Sequence, residues 1–578
     1  MNKWIKRGFM AFVAFVLIAP LGVFFPALGA FNPASLVGVA TVATLESANY
    51  IPYPYIYLVG YNSFGDGGAG VLAYKSGAVS NDHCTVFNDT ASHAFRRMDV
   101  SRALNVNQCG AYGDNTHDDG AAFGYAFAAS HNINCTNGDT YLIETQITGI
   151  LANTVWDCSG ATIDLETSGA NTPFIDIEVN NFTAQNVRVI PQGALTGGGG
   201  FTFGASQTIS NLKFINITMD ASSHAGNIVN DFYMGAASNV EIRGCTLIST
   251  GYGLLQIGSK TSNDIKVSGC IASDMFADFV NQNGTPSVSS RWIVSGNTFT
   301  GSHGYPTPAT ERRFAGFTSI VGLTVANNII KNAAGDSCIH VEGNSDNIVL
   351  TGNIFTDCEV SGGNDGYVFM LNSPGTWVSA GNIFNYTGAG GGSFAYSTVS
   401  GLCTDCNLSS SGDTFYDTSG TASFGAFDVG NDSGGQITIT GALELNGAYL
   451  VSAFSTNLLS VSNSNVLGTN GIVYQNYLGN TGNGGTHVSI VGNNISCTVW
   501  CILSEPNTAS SGAPTDWSVT SNHFRGTTVD GVALNRAVNS WCQGNWYGSG
   551  LATHTCADSA GANTVDYKNF LEGTGVIN

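Results

Sequence analysis

The residues with the types to do chemistry gather between positions 256 and 342. In Ile339-His340-Val341-Glu342, side chains alternate if the segment is a strand, so the aliphatics face in and His340 and Glu342 face out together. Asp278 stands just before a similar run at Phe279. If the two runs are strands separated by one other, the carboxylates lie about 9.6 Å apart, near the upper end for inverting hydrolysis. Glu342 is then general acid, Asp278 general base, and His340 or Arg313 orients the substrate. In an elimination, Arg313 or His340 instead neutralises a uronate carboxylate while a base removes the proton at C5. Gln256 and Asn281, with Gln282 and Asn283, offer amides of the kind that bind sugar hydroxyls. The loop Gly301–Arg313 adds Tyr305, Arg312 and Arg313, a ring to stack on a sugar and guanidinium groups to grip a carboxylate. Against this stands the ordinary role of exposed carboxylates, which is solubility, and Asp231, Asp428 and Glu505 occupy comparable places.

Such residues need elements that hold them in line, and the sequence supplies a repeat. One clean copy is NIVLTGNIF, Asn347–Phe355, and relatives are RWIVSGNTF (Arg291–Phe299), LTVANNII (Leu323–Ile330) and VSIVGNNI (Val488–Ile495). The step residue falls at Asn216, Cys245, Cys270, Asn297, Asn328, Asn353, Asn382, Asp413, Asn493, Asn522 and Asn545, mostly 23 to 31 residues apart. The long gap after Asp413 holds degenerate copies at Thr438–Leu445 and Ser460–Leu467. A fixed period of that length with strand-like runs means a solenoid, in which each period is one coil. Asn suits the step because it tolerates a left-handed turn and its amide can hydrogen-bond to the next coil's amide. Aligning coils on the step lines up a second strand in each, including Leu254–Ile257, Phe279–Asn283, Phe314–Thr318 and Ile339–Glu342. Their outward positions make a groove floor.

Composition agrees with a neutral, turn-rich solenoid. The 578 residues include 74 Gly and only 10% charged residues, against roughly 25% charge in typical domains. The net charge is −21, which repels nucleic acid and anionic membranes and excludes nucleic-acid partners. Residues 1–30 read as a secretion signal: Lys3, Lys6 and Arg7, then an apolar run, then Ala27-Leu28-Gly29-Ala30. The expected location is therefore secreted or cell-surface, with membrane attachment only if that segment stays as an anchor. Of the 14 Cys, the pairs Cys403/Cys406 and Cys497/Cys501 have close spacings without a His at a suitable offset and suggest a local disulfide or free buried thiols, whereas Cys245 and Cys270 share one repeat position and stack as small core residues. No metal site is read from the spacings.

Between signal and solenoid, residues 31–102 make a small β unit containing the run Tyr53–Gly60 and the Gly-rich turn GYNSFGDGGAGVLAY (Gly60–Tyr74). The solenoid spans 103–550, opening with a helix over Gly120–Ser130. That helix is N-capped by Asp119, and its face Ala122, Ala126, Ala129 lies across the open end. Residues 551–578 form a tail or cap.

The stretch Asn105-Val106, Cys109-Gly110-Ala111-Tyr112-Gly113-Asp114, Asp118-Asp119 and Ala121-Ala122, followed by Gly138–Ile143, resembles the start of pectate-lyase-superfamily right-handed β-helix proteins. These include rhamnogalacturonase-like glycosidases, epimerase-like relatives and phage tailspike depolymerases. GYNSFGDGGAG is similar to the small domain often found ahead of a tailspike-like β-helix. The resemblance implies an all-β, right-handed parallel β-helix of about a dozen coils, with a small N-terminal β unit, a short capping helix and carbohydrate as substrate class. The Asn-Thr-Asp, Gly-His-Gly and Arg-Ile-Lys sets of polygalacturonase-type enzymes are missing, as is the calcium-carboxylate cluster of classical pectate lyases, so no reaction follows from it. The expectation is an exported polysaccharide-active hydrolase or lyase with no cofactor, or calcium if a lyase. It has a polysaccharide partner and the homotrimeric assembly open to it. A non-catalytic glycan-binding or matrix protein and a uronate epimerase are the alternatives.

Overall fold

In a computed structural model, the structure describes residues 36–577 apart from 51–52, 78, 99–102, 167–172, 192–197, 224–227, 259, 284–287, 302–311, 336, 361–365, 372–374, 389–393, 398–406, 420–423, 430–435, 449, 454–457, 477–486, 507–515, 527–529, 535–538, 552, 558–564 and 572–574. The expected signal segment, Tyr305 and the pair Cys403 and Cys406 lie outside the described residues. Among the described residues no helix is long and apolar enough to cross a membrane. The chain divides into two compact units, one running to Arg102 and including Asn107–Gly110, the other holding Ala103–Val106 and everything from Ala111.

The first unit is a five-stranded sheet of β1 (Leu36–Val39), β2 (Tyr55–Leu58), β3 (Gly70–Lys75), β4 (Val86–Asn88) and β5 (Ala94–Arg97), with a short helix α1 (Val42–Glu46). The strand order is β1-β2-β3-β5-β4. Leu45, Ile56, Leu58, Leu72, Phe87 and Phe95 form its core. The Gly-rich turn folds around its own acid: Asp66 accepts from the amides of Tyr61, Asn62, Ser63 and Gly68. Arg97 is 1% exposed and donates to the carbonyls of Cys84, Ala69, Gly68 and Gln108, so a buried cation is matched by four acceptors. Cys84 and Cys109 are disulfide-bonded.

The second unit is a right-handed parallel β-helix. Each regular coil contributes a strand to each of three parallel sheets, as Asp346–Thr351, Ile354–Thr356 and Gly366–Leu371 do in the coil of the NIVLTGNIF copy. Among the described residues the third sheet numbers fifteen strands. In chain order its first seven are β6 (Pro173–Ile177), β7 (Gly198–Phe203), β8 (Ile228–Met234), β9 (Tyr252–Ile257), β10 (Val280–Asn283), β11 (Ala315–Thr318) and β12 (Ile339–Glu342).

The asparagine ladder is real and wholly internal. Asn297 donates from its side chain to Asn328 at 3.0 Å, Asn328 to Asn353 at 2.9 Å and Asn353 to Asn382 at 2.9 Å; Asn382 hands on to Asp413 at 3.1 Å. Through the degenerate copies the ladder runs on with Ala442 and Ser464, whose backbone N–H groups donate to Ser464 Oγ and Asn493 Oδ1. The left-handed turn belongs to the residue before each rung, not to the rung: Gly296, Asn327, Gly352 and Gly381 all have positive φ. Asn216 is itself such a preceding residue, with φ 54°, so the buried Ile217 holds the rung in that coil. Aromatic stacks run beside the ladder, Phe355 on Phe384 at 4.6 Å and Phe384 on Phe415 at 5.3 Å.

The helix over the first coils, α2, spans Gly120–Ala129. It buries Ala122, Phe123, Ala126 and Phe127, with the two Phe rings edge-on to Trp156 at 5.9 and 5.5 Å. The apolar face is therefore aromatic as well as small, and Ala129 is only half-buried. Asp119 sits at the N-cap position but does not cap, because its carboxylate accepts from the amides of Tyr112 and Gly113 instead. Asp118 takes the Gly120 amide. Cys135–Cys158, Cys338–Cys358 and Cys497–Cys501 are disulfides, which decides between the two readings of the last pair, and Cys245 and Cys270 are buried and free. The tail continues the solenoid beyond residue 550: Asn569 accepts from Asn545, and the last strand, Gly575–Ile577, turns back antiparallel on Asn569–Leu571.

Candidate functional site

Three neighbouring strands build the site. Parallel pairing sets Asn281 opposite Gly316 and Gly316 opposite His340, and likewise Asn283 opposite Thr318 and Thr318 opposite Glu342. The intervening positions, Gln282, Phe317 and Val341, are buried, so alternation turns the rows on either side of them outward. A cleft of about 240 Å³ opens over them, lined by Asn281, Asn283, Arg313, Thr318, His340 and Glu342 among others. The structure thus brings Arg313, His340, Glu342 and Asn281 to one place.

Gly316 makes room for the charge. A Cβ there would lie 3.2 Å from Arg313 Nη1, 3.3 Å from Asp278 Oδ2 and 3.6 Å from Asn281 Nδ2. All three groups therefore meet over the bare backbone of β11. Arg313 Nη1 lies 4.0 Å from Asp278 Oδ2, and the Arg313 amide donates to Asp278 Oδ1 at 2.8 Å. Asn281 Nδ2 donates to the other oxygen at 2.6 Å.

Asp278 therefore does not fit the general-base role. It is fully buried, with each oxygen engaged, because the next coil places Arg313 directly over it. A base that activates water on the groove floor must reach that water; Asp278 instead anchors Arg313 and Asn281.

Glu342 is the exposed carboxylate, its side chain 37% accessible. Its Oε1 accepts from Thr318 Oγ1 at 2.9 Å, and its Oε2 lies 3.3 Å from His340 Nε2. The hydrogen bond from His340, assisted by Thr318, holds its carboxyl below the usual range against the opposing effect of burial. A general acid needs the opposite shift, so the acid role expected for Glu342 conflicts with its surroundings. With Glu342 ionised, His340 Nε2 is the natural bearer of the proton between them.

Gln256 is not on the groove. It pairs with Met234 and Gln282, in the row that continues through Phe317, and is fully buried. Its Nε2 donates to the Lys260 carbonyl at 2.6 Å and its Oε1 accepts from Ser289 at 3.3 Å. Gln256 is level with the inward Val341 rather than with His340, which is why it does not join the amides of the groove. Arg312 is half-buried and is not among the residues lining the cleft. Gly316 and Thr318 escaped the sequence reading, although their strand had been aligned with His340 and Glu342; the signal was a glycine in the outward row.

Among the described residues no group of three His, Cys, Asp or Glu side chains could hold a metal ion. The one exposed carboxylate among the described lining residues falls well short of the six to eight oxygens calcium takes. Calcium does not fit this donor set.

No family model and no curated protein matches the chain. Among solved structures it is similar to the tailspike protein of Acinetobacter baumannii phage AM24, at 13% identity over 65% of each chain with a TM-score of 0.45. It is similar to the enzymatically active domain of tailspike protein 2 of bacteriophage CBA120, at 12% identity over 68% of this chain and 60% of that one, TM-score 0.46. It is also similar to PfbA, a surface adhesin of Streptococcus pneumoniae, at 14% identity over 82% and 94%, TM-score 0.35. The chain covers 65% and 60% of the lengths of the two tailspike structures.

Proposed function

We propose that the chain is a polysaccharide-active protein that binds a uronate-containing polymer along the third sheet and cleaves it by elimination at the Arg313–His340–Glu342 cleft. The observation that carries this reading is the make-up of the cleft: one fixed guanidinium, one imidazole–carboxylate pair and amides, with the second carboxylate sealed. Hydrolysis by two carboxyl groups needs both to reach the glycosidic bond, and only Glu342 does among the described lining residues.

In the proposed reaction Arg313 grips the uronate carboxylate and draws charge from C5. The His340–Glu342 pair accepts the C5 proton. The C5–H electrons form the C4–C5 double bond, the C4–O bond breaks, and the leaving oxygen departs with its electron pair to be protonated by water. Asn281 and Asn283 hold hydroxyls of the flanking sugars. Asp278 is a positioning residue, since it touches Arg313 and not the substrate.

The test is depolymerisation of uronate-containing and neutral polysaccharides, followed both by reducing ends and by the ultraviolet absorbance of an unsaturated uronide. Both signals should rise together on a uronate polymer. His340→Ala and Arg313→Ala should each lower the rate by about a hundredfold or more. Reducing ends without absorbance would show hydrolysis and overturn the elimination. Binding without either signal would favour a glycan-binding protein.

A further inference from the structure

A second cleft, of about 530 Å³, lies on the same face of the third sheet over β6 to β9. Its floor prolongs the row that carries His340, Gly316 and Asn281. Asn281 is opposite Leu255, Leu255 opposite Tyr233, Tyr233 opposite Thr202 and Thr202 opposite Asp176. At about 4.8 Å per strand, the row from Asp176 to His340 is roughly 29 Å long. A parallel row brings Asn230 opposite Tyr252 along the side of the same cleft.

Two features of this cleft ask for a ligand. Asn230 is 8% exposed, and its Oδ1 is a buried acceptor with no hydrogen-bond partner. Asp176 Oδ1, in the same cleft, is another. Buried acceptors are normally satisfied, and hydroxyl donors from a ligand in the cleft would satisfy both. Beside them stand Tyr233 and Tyr252, rings of the kind that cover the C–H face of a sugar. The charge pattern narrows the ligand further. The Ser206 and Gln207 amides donate to the Glu178 carboxylate at 2.9 and 3.2 Å. Burial first, then the neighbouring Glu178 charge, push the Asp176 carboxyl above its ordinary value. A uronate would meet the Glu178 charge here, whereas a neutral sugar would not.

We infer that this cleft is a saccharide subsite for neutral sugar residues, held by Tyr233 and Tyr252 and hydrogen-bonded to Asn230 and Asp176. It extends the function proposed above in one respect only: the polymer reaching Arg313 would be a mixed one, with neutral residues ahead of the uronate. Neutral-sugar binding itself rests on the second cleft alone.

The test is calorimetric titration of the full chain with gluco-, galacto- and manno-oligosaccharides of two to six residues, and with a heteropolysaccharide of glucose and glucuronate. At least one neutral series should bind. Tyr233→Ala and Asn230→Ala should each weaken it by about tenfold, and Tyr233→Phe, which keeps the ring, should stay within about twofold and report that the fold is intact. Arg313→Ala should leave neutral binding unchanged and weaken only the glucuronate polymer. Absence of neutral binding, or neutral binding indifferent to Tyr233 and Asn230, overturns the subsite. Neutral binding that survives while Arg313→Ala changes nothing on the glucuronate polymer overturns the uronate reading alone.

Discussion

Asn353 is fully buried and makes four side-chain hydrogen bonds, which makes Asn353→Ala the sharpest test of what holds the coils in register. Its Nδ2 donates to the Val325 carbonyl at 2.8 Å and to Asn382 Oδ1 at 2.9 Å. Its Oδ1 accepts from the Asn328 backbone N–H at 3.0 Å and from Asn328 Nδ2 at 2.9 Å. Alanine would strand the Asn328 N–H without an acceptor. The other three groups would each lose one bond but keep shape and surroundings; Asn328 Nδ2, for example, still reaches the Val294 carbonyl at 2.9 Å. An orphaned buried donor costs about 1–3 kcal/mol and each of the three weakened bonds about 0.5–1 kcal/mol, so the loss should be about 2.5–6 kcal/mol. Urea unfolding, followed through the fluorescence of the buried Trp292 and Trp377, measures it as a lower midpoint at unchanged slope. A double-mutant cycle with Asn328→Ala adds the decisive number, because the two residues share bonds: together they should cost at least about 1 kcal/mol less than the sum of the single losses. A single loss below about 1 kcal/mol, or strict additivity, would mean that the stacked aliphatic and aromatic rows carry the register and the amides merely fill space.

Glu444 is buried in the solenoid core with Oε2 unpartnered, and burial pushes its carboxyl up to about 7. Because the folded value lies above the unfolded one of about 4.3, ionisation works against folding, by on the order of 3 kcal/mol at pH 8. Stability should therefore rise as pH falls from 8 towards 5, and Glu444→Gln should flatten that slope in urea titrations at each pH. Glu342 has the opposite sign: its lowered carboxyl adds stability above its unfolded value and loses it as pH falls through the folded one. Thr318→Val should shrink that acid-side loss in the same titrations. Gly316→Val would push a side chain into Arg313 and Asp278; turnover should fall while the unfolding free energy from urea titration changes by less than about 1 kcal/mol, given the cleft above it. Arg97→Met would leave four carbonyls without their donor, and hydrogen exchange in β3 and β5 should report a loss of about 3–5 kcal/mol.

The solenoid was legible because its cause is written in sequence at fixed intervals. A coil must close, and it does so through a left-handed residue followed by a small polar rung, as in Gly352-Asn353 and Gly381-Asn382. That pair, once per coil, fixes the period and hence the stacking of the third sheet. What the interval cannot show is which member of the pair turns left, and so Asn216 was aligned one residue away from its true rung at Ile217. Gln256 fails for a simpler reason: it stands in the row of Val341 and not of His340, and strand neighbours face opposite ways, so its amide lies in the core.

The site was harder to read for a different reason. Two coils of separation placed Asp278 and Glu342 on one face, and for Glu342 that face is open. For Asp278 it is not, because burial there depends on the residue one coil later, 35 positions along the chain, and on the bare backbone at Gly316 that lets a guanidinium lie down. Covering a carboxylate with an arginine takes the first away from the groove floor and, in the proposed reaction, leaves the second to meet a uronate carboxylate. The substitution that separates these roles is Asp278→Asn, which keeps the shape under Arg313 and removes its counter-charge. If Asp278 only positions Arg313, that variant should raise KM for a uronate polymer with kcat changed much less, and should leave the acid limb of the pH–rate profile in place. If Asp278 were itself the base, kcat would collapse and that limb would vanish with it. Under the proposed elimination, a carboxylate sealed beneath Arg313 leads to the first outcome.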